Sequence, residues 1–386
     1  MDLKKITDGH YEALKRAGFR GYDVYDGLNS RIFRKTPCFR SKNMRIAWIQ
    51  FFKRSPLNFR PVALVPRGSN AKGLALIIRG LLNRYRVGGN SRYMDEACGL
   101  ADIIVSQRAR DRDYFCVGYD FFWEARAFSV PEFTPNMIVS SFAGQAFLDL
   151  YESGNDGRWL EYALEIGYFI EKELKLRQSD KEVVFGYIPG EEAIVYNVNL
   201  LAAAFFSRLY VHSNERKHRE YAEGAADFTV NAQREDGAWP YGEEQYHRWI
   251  DNFHTGFNLV SLDAVRVNLS SDRWDDSIER GLTFHMRSHF LEDMTPKYYD
   301  TGLYPVDIHN FAQGIDTFLT FGDFERARKL LERSIDMMWD ENKHYFYYQK
   351  KRLYKNRINY MRWSQAWMFY ALTRFELHGE SRRTRS

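Results

Sequence analysis

Aspartate and histidine side chains lie close together at two places in the second half of the chain. Asp251 precedes His254 by three residues, and Asp307 precedes His309 by two. Each pair opens an apolar stretch with helical spacing. An imidazole exchanges protons near neutral pH, and a neighbouring carboxylate can orient it. The pairs are therefore candidates for general acid–base catalysis, although an aspartate at a helix start is also an ordinary N-cap.

Aromatic and polar residues are concentrated around these pairs. Residues 233–257 contain two tryptophans, two tyrosines and five carboxylates, and residues 120–124, 187–199, 297–313 and 360–367 have a similar character. Such mixtures are typical of ligand clefts, so we expect these stretches to meet at one pocket. Tyr241 and Tyr304 are further candidate catalytic groups. Candidate substrate-binding residues, including three from residues 20–30, are Asp23, Tyr25, Asp26, Trp123, Tyr196, Asn197, Asn199, Trp239, Trp249, Asn252, Lys297, Tyr298, Gln313, Arg362, Trp363 and Gln365.

Other kinds of site find little support in the sequence. Asp307 and His309 could bind a metal, but the chain has no H-E-x-x-H or C-x-x-C motif. It also lacks G-x-S-x-G, so nucleophilic serine chemistry is not indicated. No phosphate-binding or dinucleotide loop is present. We therefore expect neither a metal nor a cofactor.

Composition limits the partners and the compartment. Fifty-five basic residues against 51 acidic ones give a net charge of only +4, which argues against a nucleic-acid partner. Three cysteines without metal-site spacing suggest a reducing compartment. The N-terminus shows no signal-peptide core, and no apolar run reaches the length of a transmembrane helix. If Met1 is the native start, we expect a cytoplasmic protein.

A helical repeat organises the chain. Apolar helices are predicted to start near residues 71, 136, 197, 252, 308 and 362, and after the first interval the starts are about 54 to 61 residues apart. The first five are each followed by an amphipathic helix. A helix without a polar face must be buried on both sides, whereas an amphipathic one is half-exposed. The pattern predicts an all-α fold of two concentric rings, an (α/α)6 toroid.

The ring needs a twelfth helix, and the N-terminal segment can supply it. We expect residues 42–52 to be the outer partner of the last inner helix, with segment 1–60 closing the ring. The whole chain, residues 1–386, is then one domain, and residues 379–386 form a disordered tail.

Loop lengths place the candidate residues on one face. Connections from inner to outer helices are short, as at residues 154–156, 271–272 and 322–323, whereas those from outer to inner helices span about 15 to 25 residues. The polar and aromatic stretches all fall in the long loops or at the following helix start. We therefore expect them around the mouth of a central funnel.

The motif Gln233-x-x-Asp236-Gly237-x-Trp239 can tie one hairpin to the next. It is similar to the Q-x-x-x-G-x-W elements that brace the toroids of terpene cyclases, which makes a terpene or prenyl cyclase an alternative. The chain has no Asp-rich D-x-D-D or D-D-x-x-D motif to support that chemistry.

The strings YNVNLLAA, QREDGAWPYG, WIDNFHTGFNL, YPVDIHNFAQGI and YMRWSQAWM resemble a bacterial and archaeal group encoded with polysaccharide and glycan assembly enzymes. The strong part of the resemblance spans residues 187–377. The architecture looks like the six-hairpin glycosidase-type toroid of sugar hydrolases, polysaccharide lyases and sugar epimerases. It is also distantly similar to the C-terminal domain of glucuronyl C5-epimerases, although their β-rich N-terminal domains are missing here.

The resemblance implies a carbohydrate-active protein of surface polysaccharide biosynthesis. Its partner would be an oligosaccharide or polysaccharide, either free or lipid-linked, that contains uronic acid. Proton abstraction at C5 would lead to epimerisation or to lyase cleavage. A hydrolase would need two carboxylates about 5 to 10 Å apart, for which Asp251 with Asp307 or Asp23 is the candidate pair. A non-catalytic glycan-binding scaffold remains a further alternative, and the oligomeric state is open.

Overall fold

The apolar stretches that predicted helices are helical in the structure. The computed structural model describes residues 2–124, 129–179 and 181–383, without the side chains of 381–383. In these ranges the helices are α1 (Leu3–Arg16), α2 (Lys42–Arg54), α3 (Ala71–Gly88), α4 (Ser91–Ser106), α5 (Met137–Gly154), α6 (Gly157–Phe169), α7 (Tyr196–Ser213), α8 (Arg216–Asn231), α9 (Asn252–Leu269), α10 (Asp275–His289), α11 (Ile308–Thr320), α12 (Phe324–Met338) and α13 (Trp367–Arg383). A π-helical segment, Met361–Ala366, leads into α13.

Six helices form a closed inner ring. Each of α3, α5, α7, α9 and α11 packs against the next inner helix, and α13 packs against both α11 and α3. Small residues allow this close approach: a Cβ on Gly144 of α5 would lie 2.5 Å from the Phe205 ring of α7. The predicted all-α (α/α)6 toroid is therefore confirmed.

The outer ring is closed by α1 and not by residues 42–52. Helices α4, α6, α8, α10 and α12 each pack on the inner helix before them, and α1 packs on α13. The Tyr11 ring stacks on Phe369 at 6.0 Å, and His10 Nε2 lies 3.0 Å from the carbonyl oxygen of Gln365. The prediction for residues 42–52 is therefore wrong.

The physical reason lies in the faces of the two helices. Helix α1 buries Thr7, His10, Tyr11 and Leu14 along one stripe. Helix α2 buries only Ile49 and Phe52, and it packs on the 3-10 turns at residues 26–29 and 37–40. It therefore covers part of the funnel mouth instead of joining the ring.

Short antiparallel strands lie in the long loops that connect outer helices to the following inner helices. They are β1 (Trp123–Glu124) with β2 (Ser129–Val130), β3 (Lys175–Gln178) with β4 (Val183–Phe185), β5 (Val306–Asp307) with β8 (Gln349–Lys350) and β9 (Lys355–Asn356), and β6 (Trp339–Asp340) with β7 (Tyr345–Phe346). Pairing of β5 with β8 sets Asp307 opposite Gln349. The strands hold the long loops against the ends of the inner helices.

The motif Gln233-x-x-Asp236-Gly237-x-Trp239 connects two neighbouring hairpins, as predicted. Gln233 Nε2 donates to the carbonyl oxygens of Gly237 and Ser277, at 3.0 Å each, and thereby links α8 to α10. Trp239 is buried and donates from Nε1 to the carbonyl oxygen of Thr229 at 2.9 Å. Trp239 therefore serves packing and lies away from the predicted pocket.

Helix α13 continues through residues 379–383, where a disordered tail was expected, and residues 384–386 lie outside the described ranges. Among the described residues, no helix has both the length and the apolar character needed to cross a bilayer.

Candidate functional site

The inner helix starts meet at a cavity of about 390 Å³. In each of the six repeats, the second residue of the inner helical segment lines this cavity. These six residues are Lys72, Ile138, Asn197, Phe253, His309 and Arg362. Because the same register recurs around a closed ring, side chains that are far apart in sequence face a common space.

Aromatic rings form most of the remaining wall. Tyr241 stacks on Trp249 with ring centroids 4.3 Å apart, and both belong to the loop before α9. The other aromatic lining residues are Tyr25, Tyr119, Phe121, Trp123, Tyr187, Tyr246, Phe257, Tyr298, Tyr299 and Trp363. Apolar walls with a few polar groups are usual for small-molecule sites, and flat rings suit the faces of a sugar.

Asp251 and His254 form a dyad at the start of α9. Asp251 Oδ1 accepts from the backbone nitrogen of His254 at 2.9 Å, which caps the helix. The same carboxylate lies 2.9 and 3.0 Å from Nδ1 of His254. If Nδ1 carries the proton that this carboxylate accepts, Nε2 keeps the lone pair. The arrangement fixes the ring at the cavity with a basic nitrogen available.

His309 lines the same cavity and is more deeply buried than His254. Both ring nitrogens are buried and unpaired among the described residues. The ring packs against Phe253, Trp363 and Trp367 at centroid distances of 4.8, 4.6 and 4.8 Å. Burial, together with the nearby charge of Lys72, lowers the pKa of His309 well below its ordinary value. The imidazole is therefore neutral near pH 7 and can both donate to and accept from a ligand.

Three lysine and arginine side chains line the described cavity, and they differ in their bonding partners. Arg362 donates from Nε and Nη2 to Asp23 at 2.7 and 2.8 Å, and Lys53 Nζ donates to the Tyr25 hydroxyl at 3.2 Å. Lys72 is buried above the Phe142 ring at 4.2 Å, and within the described part of the chain it has no ion-pair partner.

The environment of Lys72 disfavours its charged ammonium form. Burial first, and then the charge of Arg362, lowers the pKa of Lys72 well below its ordinary value. An anionic ligand would reverse this balance and favour the ammonium form. Lys72 is therefore the basic group at the cavity that is best placed to respond to a bound anion.

Among the described cavity-lining residues, Asp251 is the sole carboxylate. Asp307 is buried outside the lining, where it accepts from Trp363 Nε1 at 3.0 Å and from the backbone nitrogen of His309 at 2.9 Å. Burial raises the pKa of Asp307. Asp307 and Asp23 therefore hold lining residues in place, and the cavity does not present the carboxylate pair considered for hydrolysis.

The structure brings together some of the predicted site residues and separates others. Those that line the cavity are Tyr25, Trp123, Asn197, Tyr241, Trp249, Asp251, His254, Tyr298, His309, Arg362 and Trp363. Those that do not are Asp23, Asp26, Tyr196, Asn199, Trp239, Asn252, Lys297, Tyr304, Asp307, Gln313 and Gln365. The reasons differ from residue to residue.

Most of the separated residues bond to backbone or to a buried partner. Asn199 accepts from the Phe185 nitrogen, and Asn252 donates to the His289 carbonyl. Gln365 bonds both backbone groups of Phe346. These side-chain amides supply hydrogen bonds that the buried backbone groups would otherwise lack.

The other separated residues are held by charge or by position. Asp26 is buried against Arg60, with Nε at 2.5 Å from Oδ1, and burial raises its pKa to about 7. Tyr196 is buried against Phe228, and Gln313 is buried where Gly256 approaches it. The Lys297 carbonyl accepts from Asn310. Tyr304 is 42% exposed and lies outside the cavity.

Two features of the site were not anticipated. His254 is the third residue of its helix and His309 the second, so the repeat equivalent of His309 is Phe253. The polar lining residues that sequence reasoning missed are Lys53, Lys72, Tyr119, Tyr187, Tyr246, His247 and Tyr299. Lys72 could have been recognised in the sequence, because it follows the capping Asn70 by two places and is the sole charged residue in the first two turns of α3, residues 71–78.

Sequence comparison gives no assignment, because no family model and no curated protein matches the chain. Among the described residues, no group of three or more His, Cys, Asp or Glu side chains is arranged to hold a metal ion.

The fold itself is shared with solved carbohydrate enzymes. Cellobiose 2-epimerase from Bacillus thermoamylovorans matches with a TM-score of 0.64 and 11% identity, over 82% of this chain and 90% of the other. An unsaturated glucuronyl hydrolase specific for heparin matches with a TM-score of 0.64 and 13% identity, over 99% and 98%. The GH76 α-mannanase of Bacteroides thetaiotaomicron matches with a TM-score of 0.62 and 11% identity, over 82% and 88%. At such low identity the likeness establishes the fold alone, an (α/α)6 toroid of the six-hairpin glycosidase type.

Proposed function

We propose that this protein is a carbohydrate-active enzyme that removes a proton from a sugar carbon and returns one. The observation that carries the proposal is the meeting of the Asp251–His254 dyad, the unpaired His309 and the buried Lys72 in one aromatic cavity. Proton transfer next to a carboxylate or carbonyl needs a base, an acid and a group that stabilises the enolate. The cavity lining offers all three.

The substrate class that fits this set is a uronic-acid unit of a glycan. His254 takes the C5 proton through Nε2, while Lys72 pairs with the C6 carboxylate and stabilises the enediolate that forms. The neutral His309 ring then delivers its N–H proton to C5 from the other side, which inverts the centre, and exchange with solvent returns a proton to His309 and removes the one held by His254. If the electron pair expels the O4 substituent instead, the product is an unsaturated uronate, as in a lyase.

Hydrolysis is less well supported by the site. Inverting and retaining glycosidases of the usual type need two carboxylates at the scissile bond. In the described lining only Asp251 is a carboxylate, and it is engaged with His254. The similarity to a glucuronyl hydrolase therefore supports the toroid and a sugar ligand more than it supports hydrolytic chemistry.

A second candidate is proton transfer at C2 of a reducing sugar. The likeness to a cellobiose 2-epimerase favours it, because the same acid–base set would act next to a C1 carbonyl in the open-chain form. In that case Lys72 would face the enolate oxygen and no substrate carboxylate would be needed.

Incubation in heavy water separates these possibilities. We expect deuterium at C5 of uronosyl oligosaccharides, detected by NMR, with or without the ultraviolet absorbance of an unsaturated uronate. Deuterium at C2 of a reducing sugar would establish the second candidate, and released reducing ends without exchange would establish hydrolysis. His254→Ala and His309→Ala are expected to fold and to lose exchange. Full exchange in both variants, or glycan binding without any reaction, would overturn the proposal.

A further inference from the structure

Positive charge is strongly segregated in this chain despite its modest net value. Residues 31–67 contain ten lysines and arginines and no acidic residue, and residues 350–357 contain five and none. These fifteen are part of 55 basic residues, which leaves 40 against 51 acidic residues elsewhere. The rest of the chain is therefore net negative, and of the fifteen basic residues Arg34, Arg45 and Arg60 form ion pairs with carboxylates from outside the two segments.

The two basic segments meet in space. Asn356 Nδ2 donates to the Ser55 carbonyl oxygen at 3.0 Å, and the Tyr354 hydroxyl donates to the Arg54 carbonyl oxygen at 3.3 Å. The pKa of Lys351 is lowered by burial and, further, by the charges of Lys53 and Arg54. We name residues 51–59 and 350–357 the basic–apolar surface.

Large apolar side chains stand among these charges. Phe51 is 47% exposed, Leu57 64% and Leu353 92%. Phe51 stacks on Phe59 with centroids 5.4 Å apart, so the two rings form one exposed aromatic step. Scattered apolar residues on a surface need no explanation, but a group of them on a rim of like charge marks an interaction site.

The combination has a specific physical meaning. Anionic headgroups attract lysine and arginine, while leucine and phenylalanine gain free energy by entering the headgroup–acyl boundary. A nucleic-acid or polysaccharide surface would use the charges but would leave Leu353 and Leu57 in water.

The surface also adjoins the cavity. Lys53, the last basic residue but one of α2, lines the cavity, and Arg54 next to it belongs to the outer surface. From the charge, the exposed apolar side chains and this position, we infer that the basic–apolar surface docks the protein on an anionic membrane with the rim of the cavity close to the headgroups. This inference does not depend on which reaction the cavity performs.

Vesicle flotation tests it with the full-length protein. The probes are vesicles of phosphatidylcholine alone and of phosphatidylcholine with phosphatidylglycerol. We expect binding only to the anionic vesicles, weakened by salt. Each basic residue near the surface changes partitioning about fivefold, so the double reversal Arg54→Glu with Arg352→Glu is expected to reduce binding by at least about 25-fold. Leu353→Ser with Leu57→Ser is expected to reduce it at constant charge.

The matched control reverses two exposed charges on outer helices, Arg216→Glu on α8 and Lys329→Glu on α12, and is expected to retain most of the binding. Circular dichroism of each variant confirms folding. Equal binding to both vesicle types, no binding by the wild type, or equal loss in the control would overturn the inference. Binding to a soluble acidic polysaccharide or to RNA that competes fully with the vesicles, and that the leucine variants leave unchanged, would overturn it as well.

Discussion

Nδ1 of His254 lies 2.9 Å from Oδ2 of Asp251, and the other carboxylate oxygen caps the helix on which the histidine stands. One buried aspartate thus starts α9 and orients a ring that faces the cavity. A structural role and a chemical role are combined in one side chain, which explains why sequence reasoning alone could not separate them.

Asp251→Asn tests the chemical role, because asparagine is as good an N-cap as aspartate. We expect unchanged stability and a fall of about 10²- to 10⁴-fold in proton exchange, since the amide no longer favours the tautomer with a basic Nε2. Rates of deuterium exchange and thermal melting check this. Asp156→Asn, at the cap of α6 on the outer ring, is the control that should keep full activity. Full exchange in Asp251→Asn would mean that Asp251 only caps the helix.

Lys72→Met tests anion recognition at nearly constant volume. A hydrogen bond to a charged group contributes about 1.5–3 kcal/mol, so we expect KM for uronosyl substrates to rise roughly tenfold to 100-fold. Stability should be equal or higher, because a buried amine is removed. Calorimetric binding and denaturation measure the two effects, with Lys329→Met on exposed α12 as the control. Unchanged uronate affinity would exclude Lys72 from recognition and favour the C2 candidate.

The buried ion pair between Asp23 and Arg362 predicts a stability effect. Removing one partner leaves an uncompensated charge, so Asp23→Ala is expected to lower the free energy of unfolding by about 3–5 kcal/mol. Glu132→Ala, which breaks the more exposed pair with Arg34, should change it by less than about 1 kcal/mol. Urea denaturation compares them. Equal losses of unfolding free energy in the two variants would show that the buried Arg362 does not need Asp23 as its partner.

The burial of His285 is expected to lower the stability of the folded chain in acid. Burial lowers its pKa to about 3 in the folded chain, against about 6.5 when unfolded. The unfolded chain therefore binds the proton more tightly, and stability is lost as pH falls below about 6.5, by up to about 1.4 kcal/mol per pH unit. Asp26, whose pKa burial raises to about 7, acts in the opposite sense, so single variants must be compared.

His285→Phe removes only the first contribution. We expect the slope of unfolding free energy between pH 6 and 5 to become about 1.2 kcal/mol per unit less steep in this variant, with the difference constant above pH 7.5. Urea titrations at several pH values provide the measurement. Parallel curves across the whole range would show that His285 does not take up a proton on unfolding.

Much of the architecture could be predicted because it follows from local periodicity. A helix with apolar residues on every side, such as α7, has to be buried, and an amphipathic one such as α12 has to stand at the surface. Asp251 and Asp307 likewise cap α9 and α11 through bonds within three residues. These relations need no knowledge of distant parts of the chain.

The choice of the twelfth helix could not be predicted in that way. Both α1 and residues 42–52 are helical, and α1 differs in burying a continuous stripe that fits the surface of α13. His10 and Tyr11 match that surface across more than 300 residues of sequence. Helix α2 instead covers part of the funnel mouth, and its C-terminal end belongs to the basic–apolar surface.

The spacing of apolar residues along a few turns was enough to predict most of the helices, their division into two rings and the face on which the long loops lie. The membership of the cavity depends on long-range packing: Lys72, His309 and Arg362 share it, while Asp307 and Tyr304 do not line it. Ring closure is the cause, because it brings the second residue of each inner helical segment to one space, and burial there lowers the pKa of Lys72 and of His309.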